Sequence, residues 1–284
     1  MKKIIYSIIL ISLFLLMSCE KKETTTIIRI GHSEYNFDTA IAYVIKGVLD
    51  QQESLSVELY KLADSTMFRT LAKNEIDIAI SAWLPNTHSE YIKKYPYEIH
   101  DLGIIHDSLG LYIAVPDYAP FNSIEELHKY SNLLDNKIII PDNQNAIYSL
   151  GKDIIEDYNL KDFSLYEMSW DDITKHIEKS LNQTSGFAVI SIRPHYIYHR
   201  YNIKSLTDPK NSFGEFEYAS IYSNSLFIEN TPSITNFLAN MKFSKDDLEF
   251  IMDLNQTLGT EPYENAMRWI EQNNIKINQW LINN

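Results

Sequence analysis

The order of apolar periods restricts this chain more than any other feature. Thr26 to Ile30 reads as a strand that stops at Gly31. Ile41, Val44, Ile45, Val48 and Leu49 then fall at helical spacing, in a helix that Asp38 is expected to cap. Val57 to Tyr60 alternates as a second strand, and a helix around Met67 to Lys73 leads into a third, Ile76 to Ile80. Strand, helix, strand, helix, strand implies a parallel, doubly wound sheet. Such sheets bind ligands beyond the carboxyl ends of their strands.

The third strand releases the chain into Ser81-Ala82-Trp83-Leu84-Pro85-Asn86-Thr87-His88. A tryptophan there offers a flat, electron-rich face that suits a cation unable to donate hydrogen bonds. Equally, it could plug the sheet edge as core. His88 and Tyr91 are expected to fix this loop, and Trp269 and Trp280 lie on apolar helical faces as core.

Residues 1–18 read as a signal peptide: Lys2 and Lys3 lead, Ile4 to Met17 is apolar, and Ser18 precedes Cys19. That ending resembles a lipobox, with Cys19 lipidated as the new N-terminus. Cys19 is the only cysteine of 284 residues, so once it is lipidated no disulfide remains to stabilise the fold. Residues 19–26 read as a polar tether, which places the protein on the cell membrane, lipid-anchored and facing the periplasm or exterior.

Net charge is −13, and grows more negative once Lys2 and Lys3 are removed. An acidic surface of this kind argues against nucleic acid and against adhesion to anionic lipid. Glycines number eight, with no phosphate-loop pattern, whereas 19 tyrosines favour aromatic recognition. Neither G-x-S-x-G nor H-E-x-x-H occurs, so no enzyme, cofactor or metal site is expected.

Beyond Leu109 to Val115, another apolar strand, the β/α alternation resumes. Ser123 with Glu126 forms a capping box, and strands are expected at Lys137–Ile140, Phe163–Met168 and Phe187–Ile192. A strand at Phe216–Tyr222 then precedes a helical tail. The expected fold is α/β with two lobes, 27–115 with 214–284 and 116–213. Two crossings would form the hinge, with a ligand cleft between the lobes.

Several ordered stretches carry a resemblance. Leu71-Ala72-Lys73-Asn74-Glu75-Ile76-Asp77 resembles L-A-x-G-x-I-D. Ser81 to His88 with Tyr91 matches (S/D)-x-W-L-P-x-T-H-x-x-Y. Asn122 to Leu127, Pro194-His195-Tyr196 with Tyr201, and Leu206 to Gly214 follow suit, as do Arg268-Trp269-Ile270-Glu271 and Trp280-Leu281. The chain thus resembles the glycine betaine (quaternary amine) substrate-binding proteins of ABC transporters, over nearly the whole mature sequence. The resemblance implies a type II periplasmic-binding-protein fold, a small quaternary ammonium ligand, and permease and ATPase partners. A ligand-sensing lipoprotein of the same fold is the alternative.

A trimethylammonium head is held by aromatic faces, each worth about 0.5–2 kcal/mol. A carboxylate end wants amide, His or Arg donors. The resemblance implies Trp83 as one wall and His195 as a carboxylate donor, with Tyr196 in place of a second tryptophan. It also departs from this sequence. Ile192 stands where the family has a tryptophan, Arg193 follows it, Phe243 replaces another, and Asp142 to Ala146 replaces a glycine-rich turn. Tyr35, Trp170 and Tyr196 are therefore candidates to rebuild the box. Arg193 would repel a cation if it faced the cleft; solvent or a salt bridge between lobes is the expectation.

Overall fold

The computed structural model describes residues 25–142 and 144–282. The expected leader, Cys19 and most of the tether lie outside the described residues, and the turn Asp142–Ala146 lies partly outside them. β1 (Thr26–His32) pairs in parallel with β2 (Leu55–Lys61) and β3 (Ile78–Leu84), as the alternation requires. Helix α1 (Asn36–Leu49) crosses between β1 and β2 and is buried almost all round by Phe37, Ile41, Val44, Ile45, Val48 and Leu49. Each such side chain contributes about 1.5–3 kcal/mol when removed from water.

Asp38 does not cap this helix. Tyr35 occupies the N-cap without a side-chain bond, and Asp38 sits in the first turn with its carboxyl turned inward. Its Oδ2 accepts from the Ser33 hydroxyl at 2.6 Å, so the acid serves the β1–α1 turn rather than the helix end.

β4 (Ile99–Pro116) is one 18-residue strand shared by both lobes. Its first part pairs antiparallel with Glu217–Asn224, up to Leu109 opposite Glu217. From Gly110 onward it pairs with Val189–Arg193 and then with Ile203–Ser205. The chain thus passes to the second sheet at Leu109–Gly110, earlier than the end of the apolar run at Val115. Sequence periodicity shows only the second half because three register shifts between Asp101 and Leu109 break the alternation of the first.

The second sheet continues with β5 (Lys137–Pro141) between β6 (Ser164–Met168) and β7 (Val189–Arg193), all parallel. Ser123 accepts from Glu125, and the segment it starts, Ile124–Leu134, is a kinked 3-10 helix. β8 (Ile203–Ser205) borders β4, and β9 (Glu217–Asn224) returns to the first sheet between β3 and β4. Asp208 anchors that return: Oδ2 accepts from Phe213 N at 2.9 Å, and Oδ1 accepts from the Tyr158 hydroxyl. The tail forms helices Pro232–Asn240, Lys245–Asn255, Pro262–Gln272 and Asn274–Ile282; the second and third pack on α1, and together they bury Trp269 and Trp280. Asn74 has φ 59°, a left-handed position that explains the glycine of the family pattern there.

Candidate functional site

Three of the parallel strands deliver aromatics at their carboxyl ends: Tyr35 follows β1, Trp170 follows β6, and His195 and Tyr196 follow β7. Trp83 arrives differently from expectation. It lies inside β3, opposite Ala219 of β9, rather than in a loop beyond it. The cause is a bulge between Ala79 and Ala82, with Ser81 at φ 65°, which restarts pairing with β9 and carries the strand on to Leu84.

The W-L-P-x-T-H stretch is a set of mutual anchors. Trp83 donates its indole N–H to Ser81 Oγ at 2.6 Å and its backbone N–H to His88 Nδ1 at 2.7 Å. Leu84–Pro85 is cis. Glu217 accepts from the Asn86 and Thr87 amides at 3.0 and 2.7 Å and from the Thr87 hydroxyl at 2.7 Å. His88 packs its ring near Phe68 and Tyr91 and places Nε2 3.3 Å from Asp64. The motif therefore ties the indole N–H to Ser81, the Trp83 backbone to His88 and the turn beyond it to Glu217.

On the first lobe, Tyr35 and Phe37 meet Trp83 edge-on, with ring centres 5.7 and 5.8 Å away. On the second lobe, Trp170 stacks on His195 at 4.3 Å, and Tyr196 leans on the same imidazole at 4.5 Å. Ser169 caps the helix Trp170–Gln183, and Thr174 of that helix bonds the Tyr196 hydroxyl at 3.1 Å. The two groups face each other: the Tyr35 hydroxyl points to the Pro194 carbonyl at 3.5 Å, long for a hydrogen bond.

His195 is 6% exposed, and burial pushes its imidazole down to about 3, so it is neutral at physiological pH. Its buried Nδ1 has no hydrogen-bond partner among the described residues. Burial also pushes the Tyr35 phenol up. The structure does not bring Phe243 to these rings. Its side chain packs against Trp269 and Trp280 at 5.5 and 5.2 Å, behind the site. Its carbonyl accepts from His106, whose ring faces Phe37.

Arg193 turns away from the aromatics. Its guanidinium binds Glu249 through Nε at 2.6 Å and Nη2 at 3.3 Å, and lies 4.2 Å from the Tyr198 ring centre. Glu249 belongs to the helix Lys245–Asn255, so this is the salt bridge between lobes. Sequence reasoning had no means to find Glu249, 56 residues away. It took Asp38 for a helix cap and Ser81 for the first residue of a motif and passed over Ser33, though these three underlie the Tyr35–Trp83 pair.

A cavity of about 550 Å³ lies elsewhere on the second lobe, between Glu125, Tyr158, Lys161 and Lys210. Among the described residues, no cluster of three or more His, Cys, Asp or Glu is placed to hold a metal, and no helix is long and apolar enough to cross a membrane.

Comparisons with known proteins fit this geometry. Residues 26–272 match the family model OpuAC, described as the substrate binding domain of ABC-type glycine betaine transport system. The glycine betaine/carnitine transport binding protein GbuC of Listeria monocytogenes is 27% identical over 165 residues, covering 57% of this chain and 53% of that protein. The chain thus aligns with about half the length of that relative. Lactococcal OpuAC, in its closed-liganded conformation with glycine betaine, superposes with a TM-score of 0.69 at 24% identity, over 90% of this chain and 99% of that one. The glycine betaine/L-proline-binding protein ProX of Borrelia burgdorferi gives 0.66 at 25% identity, over 90% and 96%. With the two-sheet fold, the strand-end aromatics and a family match over 26–272, this chain belongs to the substrate-binding domain family of ABC-type glycine betaine transport systems.

Proposed function

We propose that the protein captures a small quaternary amine such as glycine betaine between its lobes and hands it to an ABC permease and its ATPase. The observation that carries this reading is the facing of two aromatic groups, Tyr35 with Trp83 and Trp170 with His195 and Tyr196, across the Tyr35–Pro194 approach. Several rings are needed, because micromolar binding requires about −8 kcal/mol and one face supplies a fraction of it. In this reading Ile192, where the family has tryptophan, leaves the cation to Trp83, Tyr35 and Trp170. Neutral His195 offers one ring N–H to a carboxylate, with Tyr196 behind it. Phe243 supports the first-lobe wall through His106.

The lobes in this proposal divide within β4 at Leu109–Gly110 and again in the segment before β9, where the pairing partners change. We further propose that the protein works outside the cytoplasmic membrane, anchored through lipid on Cys19. Mass spectrometry of the membrane-extracted chain should show acyl mass on Cys19, and the Cys19→Ser variant should be released.

Calorimetric titration of the mature chain with glycine betaine, choline, carnitine and proline betaine tests the ligand assignment. Binding of at least one below millimolar is expected. If none binds, the ligand assignment is wrong even though the fold stands.

A further inference from the structure

Four carboxylates are buried among the described residues: Asp38, Asp77, Asp247 and Glu249. Three of them face a cation. Arg29 binds Asp77 at 2.9 Å, Lys276 binds Asp247 at 2.5 Å, and Arg193 binds Glu249 at 2.6 Å. Asp38, 4% exposed, has no ion pair among the described residues, and its Oδ1 makes no well-formed hydrogen bond among them, the neutral Ser81 hydroxyl being the donor nearby. A buried acid left in this state is costly, because neither water nor an opposite charge compensates the loss of hydration.

Its surroundings are the two rings of the first-lobe wall. Ser33 donates to Asp38 Oδ2 at 2.6 Å, and the same Ser33 oxygen accepts the Tyr35 amide at 3.1 Å. Ser81 accepts the Trp83 indole N–H at 2.6 Å and is close enough to Asp38 to stabilise its ionised form. Each aromatic wall is thus held by a serine that also attends this one carboxyl. Negative charge at that position polarises the indole through Ser81 and attracts a cation lying on the rings.

We propose that Asp38 is a specificity-determining residue: its carboxylate is the counter-charge that a quaternary ammonium head on Tyr35 and Trp83 completes. The assignment rests on the proposed function above and narrows it to ligands with a positive head, zwitterionic or purely cationic. Burial pushes the Asp38 carboxyl up to about 6, against the pull of Ser33 and Ser81, consistent with a charge that awaits its partner. Of the titratable groups around it, His88 after β3 favours the carboxylate but is engaged with Trp83 N and Asp64, and Tyr35 carries no charge near neutrality. A bound ammonium head stabilises the carboxylate, so below pH about 6 binding should expel a proton.

The experiment is calorimetric titration of the mature chain and of Asp38→Asn with glycine betaine and with choline, which has no carboxylate. At neutral pH the variant should bind both roughly tenfold more weakly or worse. In the wild type, choline binding at pH 5.5 in buffers of different ionisation enthalpy should show proton release, a readout that stands even if the variant does not fold. Wild-type binding with an unchanged variant, or choline binding without proton release, would overturn the Asp38 assignment alone. Binding of no quaternary amine by the wild type overturns the ligand class together with this assignment.

Discussion

The lobes meet along two seams of opposite chemistry. At one, Arg193 and Arg200 of the second lobe bind Glu249 and Asp253 of the helix Lys245–Asn255, both at 2.6 Å, and His199 adds a 2.7 Å contact to Asp253. At the other, Tyr35 and Trp83 face Pro194, His195 and Trp170 with no ion pair and one long polar approach. The charged seam is complete without any other molecule: each of its acids has a basic partner. The aromatic seam is not, since Asp38 and His195 both keep buried polar atoms unpartnered. Polar groups left unmatched in a protein interior are expensive, and the unmatched Asp38 Oδ1 and His195 Nδ1 on this seam are atoms that a ligand would complete.

Breaking the charged seam should have the largest effect. Arg193→Ala leaves Glu249 buried and unpaired and should cost about 3–5 kcal/mol of stability, read from denaturant unfolding. Pairing it with Glu249→Gln should recover most of the loss. If the single variant is as stable as wild type, the ion pair does not hold the lobes.

The aromatic seam should respond with the opposite sign. Asp38 moves from 3.8 to about 6 on folding, so its contribution is fully present below pH 3.8 and is lost as pH rises through 6. Asp38→Asn should therefore stabilise the ligand-free protein at pH 7 and above, by at most about 3 kcal/mol, and lose this advantage below pH 4. His195 runs the other way. Its pKa falls from 6.5 to about 3, so its contribution is present above 6.5 and is lost as pH falls toward 3. Between pH 4 and 6 the two cancel. Thermal melts across that window should tilt toward instability in acid for Asp38→Asn and toward stability in acid for His195→Gln; parallel curves for all three proteins would remove both assignments.

Smaller effects sharpen the same contrast. Trp83→Ala should weaken binding of a quaternary amine about thirtyfold, the value of one well-desolvated cation–π face, with little change in the charged seam. Smallest is Glu217→Ala, which frees the Asn86–Thr87 turn and should cost about 1 kcal/mol or less, seen as a few-fold loss of affinity. An unchanged affinity would mean that His88 and Ser81 suffice to hold the indole.

Much of the fold was legible because it repeats locally. The helical spacing from Ile41 to Leu49 and the apolar run at Ile138–Ile140 each state their own element, and both occur as expected. The first half of β4 was not legible, since its register shifts destroy the alternation that a reader of sequence needs. At the site, Tyr35 packs with Trp83 in one group and Trp170 with His195 and Tyr196 in another, all but Trp83 placed just beyond strand ends. Phe243 joins neither, because the helical tail supplies it with two tryptophans to pack on. Trp83 lies within a strand because a single left-handed residue, Ser81, restarts the pairing.

By itself the sequence determined the β/α alternation, the two-lobe order and the family, all carried by neighbours in the chain or by short motifs. Only the tertiary structure decided which charges are matched. Arg193 finds Glu249 and Arg29 finds Asp77 across long separations, while Asp38 finds no cation among the described residues. Charge pairing is set by which segments the two crossings bring together and by how much water they exclude, and neither quantity is written in a local pattern.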